Sequence, residues 1–186
     1  MKTKPMTIES IRLTISKILI YFKTRKTQIS TSAINFSRAK NIGIIYSRGN
    51  KLSEVAMNKI ITDLIAENKK VISLEYIQKD NDSDYKLKEK NHFSMRNEDI
   101  NFFYLPKKVI TTNFLSDPYD IIINLSTIDL PFLHHIVALS QSRMKVGFVT
   151  KQYAHLYDFM MDPAGTRDLM ETSSRLINFI KQINKN

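Results

Sequence analysis

Cysteine is absent from the 186-residue chain. That removes a disulfide framework, a thiolate metal site and a cysteine nucleophile together. The absence suits a reducing compartment, so the expected location is cytoplasmic. No apolar run approaches the length of a membrane span, and Arg12 and Lys17 break the first apolar stretch in a way that argues against a cleaved signal peptide. Glycine is scarce where phosphate binding would need it. The segment Ser47-Arg48-Gly49-Asn50 holds one glycine, whereas a dinucleotide fingerprint uses three for the tight turn, the close approach of pyrophosphate and helix packing. The Gly-Lys-Ser/Thr end of a P-loop does not occur. No cofactor is therefore expected. Acidic residues are almost missing from the first forty positions, which hold nine Lys or Arg and only Glu9 on the other side. That arm carries +8 of the formal +10, and the rest is nearly neutral. A global charge argument for nucleic acid fails, and nucleic acid is not an expected partner.

What is present points to an α/β domain. Tyr119-Asp120-Ile121-Ile122-Ile123-Asn124-Leu125 is a short apolar run with no alternating polar face. Asp117-Pro118 and Ser126-Thr127 bracket it. That pattern reads as a strand buried on both faces, the centre of a parallel sheet. Asn41 to Ser47 reads the same way. Val55, Met57, Ile60, Ile61, Leu64 and Ile65 then repeat with helical spacing behind Ser53 as N-cap, ending near Asn68, and Val71 to Tyr76 forms the next strand. This is a β-α-β unit with a right-handed crossover. Gln78 to Lys90 is polar and reads as a surface loop. Phe102 to Leu105 predicts a third strand, stopped by Pro106. Further expectations are a short helix over 107–115, a helix from Pro131 to Ser140 capped by Asp129, a strand over 144–149, and a sixth strand over 157–161. About eight residues separate those last two, too few for a helical crossover, so the sixth strand is expected antiparallel or outside the sheet. Thr166 caps a final helix with Leu169, Met170, Leu176, Ile177, Ile180 and Ile183 inward.

Ahead of this body, Ile8, Ile11, Ile15, Ile18, Leu19 and Phe22 recur at helical spacing over 7–25, with Thr7 as cap. The expected division is a basic amphipathic helix and connector over 1–40 and a Rossmann-like α/β domain over 41–186. The fold class is a three-layer sandwich with a mostly parallel sheet of five or six strands, order 3-2-1-4-5.

The order NIGIIYS, helix, KVISLEY, PYDIIINLS, a helix with ALSQSRMKVGF, and YDFMMD resembles an uncharacterised Bacteroidota family described only as a domain of unknown function, over about residues 36–183. The same arrangement resembles, at the level of fold, the N-terminal half of heptosyltransferase-like glycosyltransferases. Those enzymes use a second Rossmann-like domain and an acidic residue in the loop after the first strand. Here that loop is Ser47-Arg48-Gly49-Asn50, so the resemblance implies the fold and not the activity.

With order 3-2-1-4-5, strand order reverses between strands 1 and 4, where open sheets leave a crevice at their C-terminal ends. The candidate lining is Ser47, Arg48, Asn50, Asn124, Ser126, Thr127 and Asp129, with Arg48 as the cation and an anion as the favoured ligand. No metal site is expected: His134 and His135 are neighbours, about 100° apart on a helix. All four histidines are read as surface or core-edge residues. Asp120, at a buried strand's start, needs a partner such as a backbone amide. The functional reading is an intracellular non-enzymatic binding or interaction domain. Two alternatives stand beside it: a small-ligand or enzymatic domain using the crevice, and a membrane-peripheral protein held by the basic helix. The partners to match are a second copy or a protein at that helix, or an anionic membrane surface.

Overall fold

The computed structural model describes residues 7–26, 34–48, 51–78, 91–163 and 168–182. The polar segment 79–90, Thr166 and Ile183 lie outside them. Among the described residues the α-helices and β-strands are α1 Ile8–Lys26, β1 Asn41–Ser47, α2 Lys51–Ala66, β2 Lys70–Ile77, β3 His92–Arg96, α3 Lys108–Phe114, β4 Ile121–Asn124, α4 Pro131–Leu139, β5 Met144–Phe148, β6 Phe159–Met161 and α5 Leu169–Gln182. The sheet runs β3-β2-β1-β4-β5-β6, and every pair in it is parallel.

The two apolar runs become neighbours, with Ile42 opposite Ile121 and Ile44 opposite Ile123. Alternation along each strand then feeds two cores. On one face Ile42, Ile44, Ile121, Ile123 and Val146 pack on Met57, Ile60 and Leu64 of α2 and on Leu176, Ile177 and Ile180 of α5. On the other, Ile45, Leu74 and Ile122 meet Phe114 of α3 and Phe132, Leu133, Ile136 and Val137 of α4. This is the three-layer sandwich. α1 is added outside it: Ile20, fully buried, packs with Ala138 of α4 and with Tyr153 and Leu156.

Local chemistry fixes the ends. Thr7 Oγ1 accepts the Ser10 amide at 3.2 Å at the start of α1. Asn68 adopts φ 60° just after α2, and Lys69 N–H returns to Leu64 O at 3.1 Å, a left-handed helix stop. Asp120 accepts the Lys40 and Asn41 amides at 2.7 and 3.0 Å, which answers its need for a partner.

Several expectations are corrected. Phe102–Leu105 is a turn, because Asn101 Oδ1 accepts the Phe103 and Leu105 amides at 2.9 and 3.1 Å and Tyr104 takes φ 54°. The third strand lies earlier, at His92–Arg96. β6 is parallel to β5: residues 149–158 cross over as an extended segment with one 3-10 turn, Ala154–Leu156, and need no helix. α2 starts at Lys51, so Ser53 lies within it. Val55 and Ile65 are exposed. Met170 faces outward too, and Asp168 caps α5 by accepting the Met170 amide at 2.8 Å. On α1, the face toward the body is Ser16 and Ile20, while Ile8, Ile11, Ile18 and Phe22 point to solvent.

Candidate functional site

β4 ends in Asn124, and the chain then turns away from the sheet before α4. Asn124 Oδ1 accepts the Ser126 amide at 3.1 Å, which fixes the amide's orientation. Its Nδ2 donates to Tyr157 Oη at 2.9 Å. Tyr157 lies 2.7 Å from His134 Nδ1, and His134 Nε2 lies 2.6 Å from Asp129 Oδ1. A carboxylate only accepts, so Nε2 carries the imidazole proton and Nδ1 takes the tyrosine O–H. The donors therefore run one way, from Asn124 through Tyr157 and His134 to Asp129. Thr150 Oγ1 adds a weaker contact to both Asp129 oxygens at 3.4 and 3.3 Å.

The relay is buried behind and open in front. His134 is 5% exposed and stacks on Tyr153, with centroids 4.2 Å apart and planes at 15°. The Asp129 side chain keeps 48% of its surface. Burial holds His134 below the ordinary histidine range and outweighs the opposing pull of Asp129. Burial likewise keeps Tyr157 protonated far above neutrality and pushes Tyr153 up to about 12. At neutral pH the imidazole is therefore neutral.

The carboxylate faces a half-open cleft of about 70 Å³ lined by Ser126, Thr127, Ile128, Phe148, Thr150 and Pro163 among others. A larger open volume of about 430 Å³ lies at the opposite end of the sheet, but its Lys70 and Asp117 pair with each other at 2.7 Å, which leaves little chemistry there.

Of the residues expected from sequence, Asn124, Ser126, Thr127 and Asp129 line this cleft. Ser47 is one step behind, its Oγ accepting Ser126 Oγ at 3.2 Å. Asn50 lies outside the described residues. Arg48 turns away: its Nε and Nη2 donate to Glu75 Oε1 and Oε2 at 2.8 and 2.7 Å, with side-chain exposures of 6% and 2%. Burial raises the Glu75 carboxyl, but hydrogen bonds from His92 and Arg48 outweigh this and hold it below the usual range. Asp129 does not cap α4, whose N-cap is Leu130 with no side-chain bond. Of the four histidines expected at the surface or core edge, His155 is exposed and His92 half-buried, whereas His134 and His135 are buried. Among the described residues no group of three His, Asp or Glu is arranged to hold a metal ion. Sequence reasoning missed His134, Thr150, Tyr153 and Tyr157. The signal for the first was at hand: an aspartate just before a helix-starting proline, with a histidine one turn on.

Comparison with known proteins adds the family. The model of a family of unknown function (DUF6913) matches residues 14–183, and so includes all of α1 but its first six residues. No curated protein matches the chain. Among solved structures the chain is similar to the E. coli heptosyltransferase WaaC with ADP, at 10% identity and a TM-score of 0.50 over 78% of this chain and 48% of that one. That likeness shows the fold alone, and the chain spans about half the length of the enzyme.

Proposed function

The chain belongs to the family of unknown function DUF6913, so its activity has to be read from its own side chains, and we propose that it is a binding domain for a small polyhydroxy or amino-bearing molecule held at Asp129. The observation that carries this is the one-way relay from Asn124 to Asp129. It holds a half-exposed carboxylate in one orientation, with lone pairs left for an incoming donor. A ligand hydroxyl or ammonium group satisfies them. Phosphate does not suit the site. Arg48, the cation expected there, is bound to Glu75, and like charge opposes an anion beside Asp129. The volume admits only one end of a ligand, and Ile128, Phe148 and Pro163 offer apolar surface to its carbon skeleton. Both His134 nitrogens are taken, Nδ1 by Tyr157 and Nε2 by Asp129, so the relay serves to orient the carboxylate, which supports a binding role.

The test is a thermal-shift and calorimetric screen of glucose, glucosamine, mannitol, ADP and inorganic phosphate on the full chain and on Asp129→Asn. A bound sugar or polyol at ten times its Kd stabilises by about 1.4 kcal/mol, and the shift vanishes in the variant. Stabilisation by ADP or phosphate that ignores Asp129, or silence from every sugar and polyol, defeats the reading.

A further inference from the structure

α1 has two apolar faces. One is used by the body, where Ile20 is fully buried. The other carries Ile8, Ile11, Ile18 and Phe22, at 71%, 38%, 48% and 60% exposure. Their spacing places them along one stripe. A second apolar element lies beside it. The Arg12 guanidinium sits over the rings of Phe102 and Tyr104, 4.3 and 4.4 Å from their centroids, and Arg12 Nε donates to the Phe102 carbonyl. This fastens the 101–105 turn alongside α1, with Phe102 at 58% and Phe103 at 38% exposure. Isolated exposed apolar residues are ordinary, but a contiguous group of this kind marks a contact surface.

We propose that this surface docks on an anionic phospholipid bilayer, with α1 lying in the plane of the headgroups. Charge selects this occupant. The arm that contains the stripe carries +8, with Lys23, Arg25 and Lys26 in the last turns of α1. A second copy would bring +8 against +8. An acidic lipid surface complements it, and apolar insertion together with basic residues supplies the two signals that stable peripheral attachment needs. No described helix is long and apolar enough to cross a membrane, so the contact is with the surface.

The experiment is co-sedimentation of the full chain with vesicles of phosphatidylcholine alone or mixed with phosphatidylglycerol, at low and high salt. The mixed vesicles should retain the protein and the neutral ones should not, with the difference fading as salt screens it. Ile11→Glu with Ile18→Glu should abolish retention while leaving the circular dichroism spectrum and melting point of the parent. Lys23→Gln, Arg25→Gln and Lys26→Gln together should weaken it on the order of 100-fold, at about fivefold per charge. This second variant keeps the test decisive if the first misfolds. Equal retention by both vesicle types overturns the proposal, and so does indifference to both variants. A lipid-free dimer that Ile18→Glu dissociates, with no vesicle binding, assigns the surface to a second copy instead.

Discussion

Tyr157 accepts from Asn124 and donates to His134 through one oxygen. Tyr157→Phe therefore leaves an amide donor and an imidazole acceptor unmatched in a buried place. The cost should be about 1–3 kcal/mol, read as a melting point several degrees lower, with ligand binding at Asp129 weakened because His134 loses its anchor. Arg48→Met tests the opposite assignment. It strands the Glu75 carboxylate, 2% exposed, and should cost about 3–5 kcal/mol while leaving affinity at the cleft intact. Loss of binding without loss of stability would restore Arg48 to the site. The pH response separates the two networks. His134 sits below its ordinary 6.5 in the folded chain, so the unfolded chain binds the extra proton, and stability is full above that value and falls as pH drops below it. Glu75 is likewise depressed from 4.5, so its contribution is lost only at lower pH. Melting curves between pH 7 and 5 should slope for the parent and flatten for His134→Gln. Equal slopes would mean that His134 is not the group titrating.

At the level of elements, the ten residues between β5 and β6 shape the site more than any helix does. Crossing without a helix, they bring Thr150, Tyr153 and Tyr157 back over the C-terminal ends of β4 and β5. Gly147 is where they pass closest: a Cβ there would lie 2.7 Å from Tyr157 Cε1. Gly147→Ala should therefore push Tyr157 off both partners, lowering stability and ligand affinity together. Gly43→Ala, with contacts of 3.1 Å to the Tyr119 ring, should lower stability alone. Calorimetry on the two variants checks this. The same crossover explains what the sequence hid. Continuous apolar runs declared β1 and β4 as central strands, and from them came the sheet order and the crevice. Chain length alone suggested an antiparallel sixth strand, because a helical return was assumed. Asp129 was legible as polar and near a helix start, and the spacing to His134 was visible too; what stayed hidden was that His134 is buried, since burial of a histidine has no periodic signature. α1 was legible as a helix and not by face, because leucine and isoleucine occur on both sides of it.

The whole molecule ties its outermost helix to a buried polar group of the site. Ile20 rests on Tyr153, and Tyr153 stacks on His134. Removing residues 1–26 should leave the sheet folded but uncover Ala138, Tyr153 and Leu156, giving lower solubility and a looser site. Gel filtration and the sugar titration on the truncated chain measure both, and unchanged behaviour in each would show the helix to be idle. The position of β1 between β2 and β4 also has a consequence in time. β1 finds β2 early, but its other edge waits for Ile121–Asn124. At ~5–20 residues per second of synthesis, that apolar edge stays open for roughly 4–15 s in each newborn chain. A fragment ending at residue 115 should be cut by protease through β1, whereas one ending at residue 163 should be protected. The strand that anchors the finished fold is the one most exposed while the chain is being made.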